Sequence, residues 1–128
     1  MSLNKQKIGK KARKDGYIAE NAAVLFLRLK GYKILERNFK PPRGTGAGEI
    51  DIIALKHNVM IFIEVKKRSS LDSAAEAVNE QVQSRRIRGA EYFLMTRPDL
   101  AEKEMRFDVI LMSPGHFPKH IQNAFTCS

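Results

Sequence analysis

The sequence predicts an α/β fold, a mixed central sheet flanked by helices, and three observations carry that prediction. A helix-spaced apolar stripe lies near the start, a hairpin of two apolar strands occupies the middle, and a long helical stretch separates that hairpin from another apolar strand. The order is α-β-β-β-α-β, with a short strand to follow. A chain of 128 residues has the length of one domain with a single hydrophobic core.

Residues 1–15 carry Lys5, Lys7, Lys10, Lys11, Arg13 and Lys14 with little apolar periodicity, which reads as a flexible basic arm ahead of one domain over 16–128. From Gly16 the pattern changes. Ala19, Ala22, Ala23, Phe26, Leu27 and Lys30 follow the spacing of an amphipathic helix, and Gly31 supplies its stop. Tyr32 to Asn38 alternates weakly and forms a short strand. The segment Pro41-Pro42-Arg43-Gly44-Thr45-Gly46-Ala47-Gly48 is a loop, and its glycines lack the Gly-Lys-Ser/Thr ending of a phosphate-binding P-loop.

Glu49 to Lys56 and Val59 to Lys67 form a hairpin around His57-Asn58, and Val59 to Ile63 is apolar on both faces, as a strand covered on both sides would be. Asp72 or Ser73 caps a long helix reaching about Met95, with Ala74, Ala77, Val78, Val82, Ile87, Ala90 and Leu94 on its buried side. Pro98 ends that region. Phe107 to Met112 is a further strand, and Ile121 to Phe125 a last short one.

Composition excludes several classes. An apolar fraction of 43% describes a globule and not a disordered chain. No stretch approaches the ~20 apolar residues of a spanning helix, and the basic start has no apolar signal-peptide core; the expectation is a cytoplasmic protein without a membrane partner. Cys127 is the sole cysteine, which rules out a disulfide framework and a Cys-rich zinc site. Against 14 acidic residues stand 23 Lys and Arg, a net charge of +9. That balance favours a polyanion, nucleic acid before an anionic membrane. Lys10, Lys11, Arg13 and Lys14 on the arm, with Arg43, Lys67, Arg68, Arg85 and Arg86, are the candidate phosphate contacts.

Chemistry concentrates in Gly48-Glu49-Ile50-Asp51 and Phe62-Ile63-Glu64-Val65-Lys66. Glu64 and Lys66 are two apart on a strand and share a face. With a two-residue turn at His57-Asn58, Lys56 pairs with Val59, Asp51 opposes Glu64, and Glu49 opposes Lys66. Opposed residues share a face, so the four converge on one patch, whereas a one-residue slip would separate Asp51 from Glu64. Two opposed carboxylates in an apolar sheet repel and are costly to desolvate. A divalent cation relieves both, and a neighbouring lysine can orient water or stabilise charge on a phosphate. The competing reading is a structural ion-pair cluster at a sheet end. His57, His116 and His120 show no ligand spacing and read as surface residues. Asp108 reads as a structural partner of Arg106 or Arg37.

The spacing of Asp51 and Glu64-Val65-Lys66 resembles the PD-(D/E)XK nuclease motif. More narrowly, Gly16 to Glu20 with Ala23, Gly31-Tyr32, Arg37-Asn38, Gly48-Glu49-Ile50-Asp51, Phe62-Ile63-Glu64-Val65-Lys66 with Arg68, Arg106-Phe107-Asp108-Val109 and Asn123-Ala124-Phe125 resemble the YraN / UPF0102 family over roughly 16 to 125. The resemblance implies a restriction-endonuclease-like αβββαβ core, related in fold to archaeal Holliday-junction resolvases, and an endonuclease-like activity. It implies Mg²⁺ (or Mn²⁺) held by Asp51, Glu64, Glu20 and the Val65 backbone carbonyl. By spacing alone Glu20 is an ordinary exposed helix charge. The sequence departs from the family on the second helix, where Val82 and Gln83 stand near a usual lysine.

The leading expectation is a metal-dependent endonuclease acting on structured or branched DNA. Its alternative is a nucleic-acid-binding module that keeps the fold without cleaving, and a protein-interaction domain ranks third. Intact Asp51, Glu64 and Lys66 favour the first, because a degenerate site usually loses one of the three. Resolvase-like activity would call for a two-fold homodimer.

Overall fold

The computed structural model describes residues 18–67 and 79–125. In chain order these form a helix α1 (18–29), strands β1 (Lys33–Phe39), β2 (Ile50–Lys56) and β3 (Val59–Lys67), a helix α2 (Glu80–Thr96), a 3₁₀ turn at Pro98–Leu100, and strands β4 (Glu104–Met112) and β5 (Lys119–Phe125). The five strands make one mixed sheet in the order β1-β2-β3-β4-β5. β3 and β4 run parallel, while the other neighbours are antiparallel. The α/β class is the expected one, and among the described residues the order is the expected αβββαβ followed by a fifth strand.

Each face of the sheet carries its own core. On one face Ala23, Val24, Leu27 and Tyr32 pack on Ile52, Ala54, Ile61, Ile63 and Ile110. On the other, Ala90 and Phe93 of α2 meet Ile53, Met60, Phe62, Phe107, Val109 and Leu111. The central strands are therefore apolar on both faces, and β3 reads as a nearly continuous apolar run. Helix α1 ends as glycine predicts. Gly31 adopts φ 91, its N–H donates to the Arg28 carbonyl, and the Tyr32 N–H donates to the Leu27 carbonyl, a Schellman closure sealed by the Tyr32–Leu27 contact. The apolar stripe is rotated slightly from its expected place: Val24 is buried and Ala22 exposed.

The second helix starts later than expected. Its N-cap is Asn79, in extended conformation, with a side chain that accepts from the Val82 N–H. Asp72 and Ser73, the caps expected from sequence, lie outside the described residues, as do the basic arm over 1–15 and Arg68. The helix also touches the loop before β2. The Gly48 N–H donates to the Arg85 carbonyl at 2.8 Å, and a Cβ on Gly89 would overlap the Gly48 carbonyl oxygen. Glycine at 89 thus permits a backbone-to-backbone crossing that any side chain would block.

Asp108 is fully buried on the α1 face. Arg106 grips it through two hydrogen bonds of 2.9 and 2.8 Å, and the Asn123 N–H donates to it at a bulge between β4 and β5. His120 does not lie on the surface, as its sequence context suggests. Its ring is buried, 2.7 Å from Asp108 through Nε2 and 2.8 Å from the Lys30 ammonium through Nδ1. A buried carboxylate needs such partners, and these tie β5 to β4 and α1.

Candidate active site

Strand β3 places the central acid. Glu64 stands two residues after Phe62 and faces α2 with it, and it is only 4% exposed. Two residues later Lys66 returns to the same face, its ammonium 3.0 Å from Glu64 Oε1. From α2, Arg86 places Nη2 3.0 Å from Oε1 and Nε 2.6 Å from Oε2. Its remaining nitrogen, Nη1, donates to the Glu49 backbone carbonyl. The Nε–Oε2 approach is close in distance but misaligned, so both buried atoms lack a hydrogen bond.

The β2–β3 register is the expected one, from Lys56↔Val59 to Ile52↔Ile63. At the next position the two strands are joined differently: the Asp51 carboxylate itself accepts the Val65 N–H at 2.8 Å. This brings Asp51 beside Glu64, and the consequence is electrostatic. Burial first, then the Glu64 charge and to a smaller degree Glu20, push the Asp51 carboxyl up to about 7, against the opposing pull of the Val65 N–H and Arg86. Glu49 does not pair with Lys66; it precedes the strand, its side chain is exposed, and only its carbonyl reaches the site.

Glu20 sits at the margin. It accepts from Asn38 Nδ2 at 2.9 Å and from Arg37 Nε at 3.3 Å, so α1 and β1 hold it near Asp51. Among the described residues no three His, Cys, Asp or Glu side chains converge closely enough to hold a metal together. The pair that does converge fits a hard cation on two counts. Glu64 Oε2 is buried without a hydrogen bond, and burial together with the neighbouring Glu64 charge raises the Asp51 carboxyl to about 7, a cost that a bound cation would relieve. Asp51, Glu64 and the Val65 carbonyl would supply oxygen ligands of the kind Mg²⁺ and Mn²⁺ take.

The model of "Uncharacterised protein family UPF0102" matches residues 19–112. A UPF0102 protein of Paramagnetospirillum magneticum is 44% identical over 114 residues, covering 89% of this chain and 88% of its own. Another from a Bradyrhizobium species is 47% identical, over 90% and 82% of the two chains, and one from Rhodopseudomonas palustris 46%, over 88% and 85%. The chain belongs to the UPF0102 family.

The basic candidates of this UPF0102 protein separate by place. Arg43 and Arg85 are exposed and line, with Lys40, Gly46 and Glu49, a cleft of about 500 Å³ between the glycine-rich loop and α2. Lys67 is exposed at the end of β3. Arg86 is partly buried, its guanidinium engaged by the Glu64 carboxylate and the Glu49 carbonyl. Lys10, Lys11, Arg13, Lys14 and Arg68 lie outside the described residues.

Sequence reasoning missed the role of Arg86, although the signal was present. Val82, Arg86, Gly89, Ala90 and Phe93 form one helical stripe, and an arginine inside such a stripe needs an acid on the facing strand. No helix among the described residues is long and apolar enough to cross a membrane.

Proposed function

We propose that this protein is a Mg²⁺- or Mn²⁺-dependent endonuclease that hydrolyses phosphodiester bonds in structured or branched DNA. The observation that carries the proposal is the pairing of a buried Glu64 with Asp51 on one side and Lys66 at 3.0 Å on the other. Asp51, Glu64 and the Val65 carbonyl would hold the cation. The cation, when bound, supplies a polarised phosphoryl oxygen and a water acidic enough to attack at neutral pH. Lys66 contributes a proton donor and positive charge at the same face, placed to orient that water or to stabilise the phosphate as charge develops.

Basic residues around the site would deliver the substrate. Lys40, Arg43 and Arg85 line the cleft beside Glu49, and a net charge of +9 attracts a polyanion over long range. Phosphate contacts by these side chains would position the substrate without reading its sequence. A second reading, a binding module that does not cleave, draws on one feature: Lys66 and Arg86 already neutralise Glu64.

Incubation with supercoiled, linear and four-way-junction DNA in Mg²⁺ or Mn²⁺ separates the two. The endonuclease reading expects cleavage by the parent protein and none by Glu64→Ala. Binding without cleavage on every substrate and with both metals would leave the module.

A further inference from the structure

The Arg86 guanidinium stands where the proposed site needs a metal cation. It reaches both oxygens of the Glu64 carboxylate and spans to the Glu49 carbonyl. It therefore bridges the strand that carries the candidate ligands and the loop that leads into β2. Lys66 touches Glu64 at one oxygen, from its own strand. Arg86 comes from another element and closes the carboxylate from the open side. A pocket of about 210 Å³ lined by Glu49, Val82, Arg85 and Arg86 adjoins it, so the side chain has somewhere to go.

The geometry points to Arg86 as an internal competitor of the divalent cation, a built-in occupant of the Glu64 carboxylate that must swing out before metal can bind. This deepens the metal-site reading above and rests on it. Charge counting supports the exchange. Ionised Asp51 and Glu64 carry two negative charges, balanced by Lys66 and Arg86. A divalent cation added with Arg86 in place would leave a local excess of two positive charges, at a buried position where such an imbalance is costly. Departure of Arg86 reduces the excess, and the freed guanidinium, facing the pocket, can take a substrate phosphate in its fork.

The overlap of positions is direct. Arg86 lies 3.0 Å from Oε1 and 2.6 Å from Oε2 of Glu64, so it covers both oxygens that a cation at this carboxylate would take.

An occupant that blocks the site lowers the apparent metal affinity by the fraction of molecules that are open. With the open arrangement populated at about a tenth or less, removing the competitor raises affinity roughly tenfold or more. The test is Mn²⁺ binding by the full chain, followed by electron paramagnetic resonance, for the parent protein, Arg86→Gln, Arg86→Lys and Glu64→Gln, each checked for folding by circular dichroism. Arg86→Gln binds Mn²⁺ about tenfold more tightly than the parent, Arg86→Lys falls between, and Glu64→Gln loses the site. Where Arg86→Gln fails to fold, Arg86→Lys decides alone, by binding more tightly than the parent. Equal or weaker binding in both arginine variants, with the parent still binding through Glu64, overturns the competitor and leaves the metal site standing. No Mn²⁺ binding dependent on Glu64 in any variant overturns both.

Discussion

At the scale of single residues, Asp51 carries the most specific expectation. Its carboxyl is held at about 7 by burial and by Glu64, against an ordinary value of 3.8 in the unfolded chain. The sign follows from proton counting: the folded state binds the proton more tightly, so stability from this group is full below pH 4 and is lost as pH rises through about 7. Asp51→Asn removes that loss. The variant is therefore more stable than the parent at pH 8 without metal, by about 1–3 kcal/mol after allowance for solvent screening, and the gap closes toward pH 4. Thermal unfolding across pH measures it; an advantage that persists at pH 4 would show that Asp51 ionisation is not its source. Lys66 is separable from the ligands. Lys66→Ala leaves metal bound while cleavage falls roughly 10²-fold or more, the usual cost of losing one proton-transfer or charge-stabilising group. Metal titration beside a cleavage assay checks this, and loss of metal binding would reassign Lys66 to holding the site together. The Glu64–Lys66 proximity was legible from a spacing of two along a strand. The Asp51–Val65 hydrogen bond was not, because it replaces the ladder pairing that a register argument extrapolates.

Among elements, the strands were read well and their ends less so. Strong alternation and two-sided apolar runs located β2, β3 and β4, and a two-residue turn at His57, which adopts φ 55, set the register on which the site depends. The long helix expected from Asp72 or Ser73 to about Met95 is interrupted at Asn79, whose extended backbone and side chain cap α2; sequence pattern does not rank Asn79 above the earlier capping residues, which lie outside the described residues. The burial of His120 was illegible for a different reason: its partners, Asp108 and Lys30, are 12 and 90 residues away. Asp108 itself sits below the usual carboxylate range. Its desolvation works the other way and is outweighed by His120, Arg106 and the Asn123 N–H, so its stabilising contribution is present near neutrality and fades only in acid. Helix α2 and the glycine-rich loop meet at the Gly48–Gly89 crossing, which sets how close Arg85 and Arg86 stand to the site. Gly89→Ala forces backbone apart at that crossing and costs about 1–3 kcal/mol, the scale of overpacking. A lowered melting temperature with weakened DNA binding is the expected result; an unchanged melting temperature would mean the loop yields without penalty.

For the whole molecule, charge sets the behaviour toward polyanions. Six Lys and Arg residues fall in the first 15 positions, and Arg43 and Arg85 line the cleft. DNA affinity should fall steeply with salt, and deleting residues 1–14 should flatten the slope of log affinity against log salt by up to about 0.9 for each phosphate contact removed. Fluorescence anisotropy across a salt series reads the slope, and an unaltered slope would assign the arm no phosphate contact. Composition alone carries the expectation of a polyanionic partner, while the proposed chemistry rests on a handful of side chains on β2, β3 and α2. Their assembly depends on the hairpin register, the loop crossing and the position of α2 together. Every proposed step requires that Asp51 and Glu64 share a divalent cation. The most direct measurement is the anomalous difference map of crystals grown in Mn²⁺. A peak between the Asp51 and Glu64 carboxylates, bonded also to the Val65 carbonyl and lost in Glu64→Gln, is the predicted result. A protein saturated with Mn²⁺ whose Asp51–Glu64 pair shows no peak, with Arg86 still seated on Glu64, would contradict it.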